Sequence, residues 1–216
     1  MSNNDKSDFL KAIKAIKVIE LSFTGAKAKK SKSIIKRLKD LYLEESSEAT
    51  GDHANSFPLP KESMNSDYDF CVFSDGGCRG NPGPGAWGAM VQDMSGAVVY
   101  EGSDFDRQTT NNRMELIGAI FGMKNAKKLG GEKLLLVSDS KYVLEGIRSW
   151  LDGWKKRGWK KADKKEPENL DLWKEIDILK SSFVKLECKW VKGHTGHPQN
   201  ERCDELANKA MDEGIS

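Results

Sequence analysis

The pattern of apolar and polar positions predicts a run of strands in the middle of the chain. Phe70, Val72 and Phe73 supply apolar and β-branched bulk to positions 68–73, and a Gly- and Pro-rich turn follows at positions 76–85. Residues 86–92 and 97–100 have the same strand-like character and are separated by a short turn. The three segments are expected to pair as an antiparallel meander.

Helical spacing dominates the second half of the chain. Residues 111–128 have one apolar side, and Thr110 or Asn111 can cap the start of this helix. The continuous apolar run 134–137 suits a buried parallel strand. Helices are predicted over 141–150, 170–179 and 200–211, and a strand over 183–191. The order β-β-β-α-β-α-α-β-α predicts an α/β domain at 68–216, with helices packed on a mixed five-stranded sheet.

The first 45 residues are different in character. Apolar residues recur at helical spacing over 9–21 and 34–42, and lysines fill the positions between them. We expect a small helical hairpin with a basic face, which is either a solvated appendage or a surface for nucleic acid or a protein partner. Residues 46–67 are rich in Ser, Glu and Asn and contain Pro58 and Pro60, which predicts a linker.

Composition bounds the class of protein. Charged residues make up 31% of the chain and no apolar run approaches the ~20 residues of a membrane span, so no membrane association is expected. The start of the chain lacks the apolar region of a secretion signal. We therefore expect a cytoplasmic protein with reduced cysteines, and a monomer is the simplest assembly. Because the net charge is only +2, affinity for a polyanion must come from local basic clusters.

Four carboxylates fall near the ends of predicted elements. Asp75 and Asp139 end two strands that a right-handed crossover would make parallel neighbours. Glu115 lies in the first turns of the crossover helix, and Asp204 lies in about the first turn of the last helix. Taken alone, Asp75 could equally be a turn aspartate.

Like charges gather in one crevice only when something neutralises them. Oxygen ligands favour hard cations, so Mg²⁺ is the first candidate and Mn²⁺ a substitute. Two such ions can activate a water and stabilise the leaving oxygen in phosphodiester cleavage.

Seven short motifs carry a resemblance to a known family. They are Ser74-Asp75-Gly76, the Gly-Asn-Pro-Gly-Pro-Gly of 80–85, the Thr-Asn-Asn-Arg-Met-Glu-Leu of 110–116, Ser138-Asp139-Ser140, the Trp- and Lys-rich 154–160, the Trp-Val-Lys-Gly-His of 190–194 and the Asn-Glu-Arg-Cys-Asp-Glu-Leu-Ala of 200–207. In this order, over about two thirds of the chain, they resemble the bacterial type of ribonuclease H, class one. The resemblance implies a ribonuclease H-like sheet. It also implies endonucleolytic hydrolysis of RNA paired to DNA, leaving 5′-phosphate and 3′-hydroxyl ends.

The resemblance also implies roles for individual residues. The catalytic ligands of two Mg²⁺ ions would be Asp75, Glu115, Asp139 and Asp204. His194 would take part in proton transfer or product release, and the alternative for it is a polar loop residue.

Residues that would bind the hybrid follow from the same motifs. Amide groups that read 2′-hydroxyls would come from Asn81, Asn111 and Asn112, although the last two could be helix caps only. The pocket for a DNA phosphate would combine Asn81 with Thr110, Ser140 and Lys156, and Asn200 belongs to the same predicted set. Residues 154–165 resemble a basic protrusion, in which Trp150, Trp154 and Trp159 would pack the helix and border the DNA channel; some of them are expected in the core, and packing is favoured for Trp159.

The sequence departs from the family pattern at a few positions, and other interpretations of its motifs are open. Thr195 and Gln199 stand where many relatives have Ala and Glu, and the N-terminal residues lack the landmarks of the eukaryotic hybrid-binding domain. Cys188, His194, His197 and Cys203 could form a zinc module, but their spacing matches no common finger. A relative that binds without cleaving would not need all four carboxylates. A transposase or resolvase on the same fold would share the carboxylates without the paired asparagines.

Overall fold

The computed structural model of the chain describes residues 56–63, 67–193 and 195–215. They belong to one compact unit, Ser56–Ser216. The predicted hairpin at 1–45, most of the predicted linker, and His194 lie outside the described residues.

A mixed sheet forms the centre of the unit, as the sequence predicts. Its strands are β1 (Phe70–Cys78), β2 (Gly83–Asp93), β3 (Val98–Thr109), β4 (Lys133–Ser138) and β5 (Lys185–Trp190). Their spatial order is β3-β2-β1-β4-β5. The pairs β1–β2 and β2–β3 are antiparallel, while β1–β4 and β4–β5 are parallel. The meander and the parallel crossover are therefore both confirmed.

Five helices flank this sheet in the described part of the chain. They are α1 (Asn111–Lys128), α2 (Lys141–Glu145), α3 (Leu151–Lys156), α4 (Leu170–Ser182) and α5 (Pro198–Ile215). One π-helical turn, Gly146–Trp150, joins α2 directly to α3. No helix among the described residues is long and apolar enough to cross a lipid bilayer.

Alternation along the strands divides the core between the two faces of the sheet. Val72, Leu134 and Leu136 face the helices that include α1 and α4, and this cluster contains the fully buried Trp173. Phe73 and Val137 point to the opposite face, where Cys203 of α5 packs on them. Asp75 lies two residues after Phe73 in the same strand, so its side chain points to the same face of the sheet, the face on which α5 packs.

Several boundaries differ from the predictions. β1 does not stop at Asp75 but continues to Cys78, because β2 pairs with it as far as Gly85. The predicted helix 141–150 continues to Lys156 through the π-helical turn. Because α5 already begins at Pro198, Asp204 lies in its second turn.

Residues 56–63, which were expected in the linker, lie against the sheet. Ser56 forms a β-bridge with Ala97, and the Phe57 amide donates to the Gly96 carbonyl at 3.1 Å. Lys61–Ser63 form a single 3₁₀ turn. This segment therefore belongs to the folded unit, and the division of the remaining N-terminal residues stays a prediction.

Candidate active site

Asp75 and Asp139 are brought together by the parallel pairing of β1 and β4. The last paired positions are Phe73 and Val137, and each aspartate follows its strand's last paired position by two residues. β4 ends at Ser138, whereas β1 runs on along β2 alone. The end of β4 therefore opens a crevice in the sheet beside Asp75, with Asp139 at its edge.

Close packing of α1 on β1 brings Glu115 to the same crevice. Gly76 allows this approach, because a Cβ at that position would lie 2.5 Å from the Glu115 backbone nitrogen. Thr110 caps the helix by accepting from the Arg113 amide at 3.3 Å, and this fixes where its first turn begins. Glu115 consequently faces Asp75 from the first turns of α1.

The fourth carboxylate comes from α5 on the other face of the sheet. Cys203, Ala207 and Met211 form its buried stripe, and Asp204 lies beside this stripe. Asn208, one turn later, donates its side-chain amide to Asp204 Oδ1 at 2.9 Å. The sequence interpretation missed Asn208, although its i+4 spacing from Asp204 in a predicted helix would have indicated the shared face.

A cavity of about 310 Å³ unites the four acidic side chains. Its lining also includes Gly77, Asn111 and Asn208, together with Ala207 and Met211. Among the described residues, no group of three or more Asp, Glu, His or Cys side chains lies close enough together to hold a metal ion. Separation of the four carboxylates is expected, because like charges repel one another until a cation screens them.

Burial and mutual repulsion alter the acidity of this cluster. Burial, followed by the negative charge of Asp139, raises the pKa of Asp75 to about 7. Burial also raises the pKa of Glu115 to about 7, and the hydrogen bond from Ser140 opposes that rise. Both carboxyl groups therefore sit where a divalent cation would relieve an electrostatic cost.

Ser140 holds the Glu115 side chain. Its hydroxyl donates to Glu115 Oε2 at 2.6 Å and accepts from the Val143 amide at 3.2 Å as the cap of α2. A hydroxyl has one proton to donate. Ser140 is 5% exposed and its proton is directed to Glu115. The geometry therefore favours an orienting role over the predicted contact with a phosphate.

The predicted 2′-hydroxyl readers lie around the N-terminus of α1. Asn81 is exposed in the turn between β1 and β2, and its Oδ1 accepts from the Asn111 amide at 3.3 Å. Asn111 lines the acidic cavity, and Asn112 is partly exposed beside it. Thr110 rather than Asn111 is the cap, so both asparagine side chains remain available for a ligand.

The tryptophans of the predicted DNA channel divide into core and surface. Trp154 is only 8% exposed, with its ring 5.5 Å from that of Trp173, so it packs in the core, as expected of part of this group, and its contact with DNA stays a prediction. Trp150 is partly exposed. Trp159 packs on the same cluster, as expected, with Lys174 over its ring. Lys156 is exposed at the end of α3.

Two further predictions concern the start of α5. Asn200 is 2% exposed, and its Oδ1 has no hydrogen-bond partner in the described part of the chain. Because it is buried, it presents no surface to a substrate, in contrast to the prediction. The alternative zinc module fails on position, because Cys188 and Cys203 belong to core clusters on opposite faces of the sheet.

Comparisons with known proteins give the fold and site a context. Residues 67–212 match the RNase H family. The chain is 51% identical over 142 residues to the Ribonuclease H of Hydrogenovibrio crunogenus, covering 66% of this chain and 94% of the relative. It is 48% identical over 142 residues to that of Dechloromonas aromatica, covering 66% of this chain and 93% of the relative.

Solved structures agree with these relatives. The N-terminal RNase H domain of a Mycobacterium tuberculosis protein, solved as a fusion with maltose binding protein, is 33% identical with a TM-score of 0.56, over 69% of this chain and 97% of that one. LC11-RNase H1 in complex with an RNA/DNA hybrid is 26% identical with a TM-score of 0.53, over 68% of this chain and 99% of that one. With a family match across most of its length, this chain belongs to the ribonuclease H family.

Proposed function

We propose that this protein is an endoribonuclease that hydrolyses the RNA strand of RNA/DNA hybrids and leaves 5′-phosphate and 3′-hydroxyl ends. The observation that carries the proposal is the cavity in which Asp75, Glu115, Asp139 and Asp204 meet from four different elements. In a ribonuclease H family domain, this arrangement fits phosphodiester hydrolysis assisted by divalent cations. The hybrid in the LC11-RNase H1 structure supports the choice of substrate.

The donor set of the cavity fits a hard divalent cation. Carboxylate and amide oxygens line it, and among the described residues no thiol or imidazole does. The residues that would hold two Mg²⁺ ions are the four carboxylates, and Mn²⁺ has the same preference for oxygen. When bound, such ions supply Lewis-acid activation of a water and neutralise charge on the leaving oxygen.

The chain's own groups orient the reaction. Ser140 keeps Glu115 pointed into the cavity, and Asn208 does the same for Asp204. The Gly76 amide donates to Asp75 Oδ1 at 2.7 Å, which fixes the carboxylate that faces all three others. Held in this way, the acidic groups need little rearrangement when the scissile phosphate arrives.

Recognition of the hybrid is assigned to two surfaces. Asn111 lines the acidic cavity, Asn81 accepts from its backbone amide, and Asn112 is the next residue of α1. These three side chains are proposed to offer amide groups to 2′-hydroxyls. Lys156 and the exposed lysines that follow α3 are suited to phosphates of the DNA strand.

His194, for which we propose a role in proton transfer or product release, follows Gly193 in the chain. The lysine-rich residues 1–45 are proposed to add nucleic-acid affinity, and a monomeric state and cytoplasmic location stay predictions.

The experiment that tests the function uses one labelled RNA strand in three contexts. The strand is paired to DNA, paired to RNA, or left single, and each form is incubated with the full chain with and without Mg²⁺. We expect internal cleavage of the hybrid alone, and only with the metal. Cleavage of all three forms would contradict the substrate assignment, and no cleavage with Mg²⁺ or Mn²⁺ would contradict the enzymatic function.

A further inference from the structure

Residues 56–63, called the strap below, precede the part of the chain that matches the family at 67–212. Several specific contacts nevertheless build the strap into the domain. Phe57 packs on the core cluster that faces α5, and Ser63 is buried with its hydroxyl donating to the Pro60 carbonyl at 2.8 Å. A solvated linker would not bury side chains in this way. The strap is therefore an added element of this chain's fold.

Two buried amides tie the strap to the start of α5. Gln199 donates to the Pro58 carbonyl at 2.7 Å and to Gln92 Oε1 at 3.1 Å. Gln92 in turn donates to the Phe57 carbonyl at 2.6 Å. Buried amides of this kind are specific, because any displacement leaves polar groups without partners.

His197 makes the second connection between the strap and α5. Its Nδ1 accepts from the Asn200 amide at 3.4 Å, and its ring lies 5.7 Å from that of Phe73. Because Nδ1 accepts, a neutral ring carries its proton on Nε2. Nε2 lies 3.7 Å from Glu62 Oε2 of the strap. Helix, core and strap therefore hold the imidazole from three sides.

Trp190 and Gly193, which precede His197 in the chain, lie against Asp139 of the acidic cavity. Trp190 Nε1 donates to the Asp139 carbonyl at 2.9 Å, and a methyl group on Gly193 would overlap Asp139 Oδ2. A cavity of about 480 Å³ lies between the strap and residues on either side of position 194. Glu62 with His197 and Pro58 with Gln199, the two pairs described above, are among the residues that line it. Trp190 and Gly193 thus lie against Asp139, and His197 lies against the strap.

We propose that the strap positions the described residues on either side of position 194, 191–193 and 195–197, for catalysis, and that Glu62 is a positioning residue acting through His197. The inference rests on the proposed function, because these residues border Asp139 and flank His194. Glu62 fixes the His197 end without touching the substrate. Its removal raises the mobility of that end, and turnover falls more than binding does. A merely structural tie would instead change stability alone.

The test compares full-chain variants in hydrolysis of an RNA/DNA hybrid. We expect Glu62→Ala to lower kcat about 5- to 10-fold with KM within about twofold, as loss of positioning in the transition state requires. Glu62→Gln keeps a side chain of the same length with an oxygen that can lie near His197 Nε2, and it should keep most of the turnover. The matched control is Glu213→Gln, an exposed acid near the end of α5. Thermal unfolding of each variant separates positioning from a loss of folded protein.

A double-mutant cycle identifies the route of the effect. If Glu62 acts through His197, adding Glu62→Ala to His197→Ala should lower kcat no further. Additive losses in the cycle would overturn the route, and an unchanged kcat in Glu62→Ala would overturn the positioning role. A loss of kcat that tracks a fall in the unfolding midpoint would also overturn it. Failure of the unaltered chain to cleave the hybrid would contradict the proposed function itself and the inference with it.

Discussion

The Ser140 hydroxyl and the Glu115 carboxylate are joined by a 2.6 Å hydrogen bond. This bond connects the end of β4, which supplies Asp139, to the first turns of α1. Because the same hydroxyl caps α2, one side chain orients a proposed metal ligand and starts a helix. The capping serine of α2 and a carboxylate that we propose to be catalytic are therefore coupled by one hydrogen bond.

Replacing Ser140 with Ala should therefore reduce both activity and stability. We expect about a 10-fold lower rate of hybrid hydrolysis from a freed Glu115, and a loss of about 1 kcal/mol in the free energy of unfolding from the missing cap. Steady-state cleavage and denaturant unfolding measure the two effects. The control is Ser149→Ala, an exposed serine that bonds to Glu145 one turn earlier. Equal rates for both variants would exclude the orienting role.

The raised pKa of Asp75 predicts how stability depends on pH. The folded protein keeps this carboxyl group protonated up to about pH 7, whereas the unfolded chain releases the proton near 3.8. Folded protein thus binds more protons between these values, and this contribution to stability is lost as pH rises through 7. Asparagine has no carboxyl group to titrate, so Asp75→Asn should not show this loss of stability with rising pH. In chelator-containing buffer, the variant's stability relative to the unaltered protein should improve by up to about 4 kcal/mol between pH 4 and pH 8.

Chemical unfolding at several pH values tests this prediction. Asp104→Asn, which changes an exposed aspartate on β3, is the control and should show no comparable trend. A relative stability of Asp75→Asn that does not change with pH would mean that this carboxyl group is not forced toward its protonated form.

Gly193 is the point where the segment after β5 touches Asp139. A methyl group there would overlap Asp139 Oδ2, so Gly193→Ala must displace either the carboxylate or the segment. We expect the rate of hybrid cleavage to fall about 10-fold or more and the Mg²⁺ concentration for half-maximal rate to rise. A titration of activity against Mg²⁺ measures both effects. Gly153→Ala, whose added methyl would meet only the flexible end of Arg157, should leave the titration unchanged.

The lysine-rich N-terminal residues are expected to contribute to hybrid binding by neutralising phosphates. Replacing Lys27, Lys29, Lys30 and Lys32 with Gln should weaken binding and reduce the slope of log Kd against log salt concentration by about one unit for each phosphate that is no longer neutralised. The same lysines changed to Arg retain the charge and form the control. Binding is measured with a catalytically inactive full chain at several salt concentrations. An unchanged salt dependence would assign these residues to another role.

Local signals explain how much of the architecture the sequence could predict. Helix α1 was expected at 111–128 and is found there, because Thr110 caps it and Gly130 follows it in a left-handed conformation. The four acidic residues could be grouped because strand ends and helix starts meet at one edge of a parallel pair. Topology and motif order were sufficient for that inference.

Other features depend on contacts that no local pattern encodes. The continuation of β1 beyond Asp75 is decided by pairing with β2, while Gly76 and Gly77 give no strand signal of their own. The strap was interpreted as linker because its prolines and polar neighbours are typical of linkers. The strap docks through the backbone carbonyls of Phe57 and Pro58. Because every residue has a backbone carbonyl, no side-chain pattern indicates this contact. The burial of Trp154 likewise depends on the packing of Trp173 against it.

We attribute Mg²⁺-dependent cleavage of hybrid RNA to the acidic cavity. The decisive measurement compares the unaltered full chain with Asp75→Asn, in parallel Mg²⁺ titrations on one labelled hybrid. We predict metal-dependent internal cleavage by the unaltered protein and none by the variant, which should still unfold cooperatively and at no lower temperature. Appreciable Mg²⁺-dependent turnover by folded Asp75→Asn would contradict the assignment of this cavity as the catalytic site.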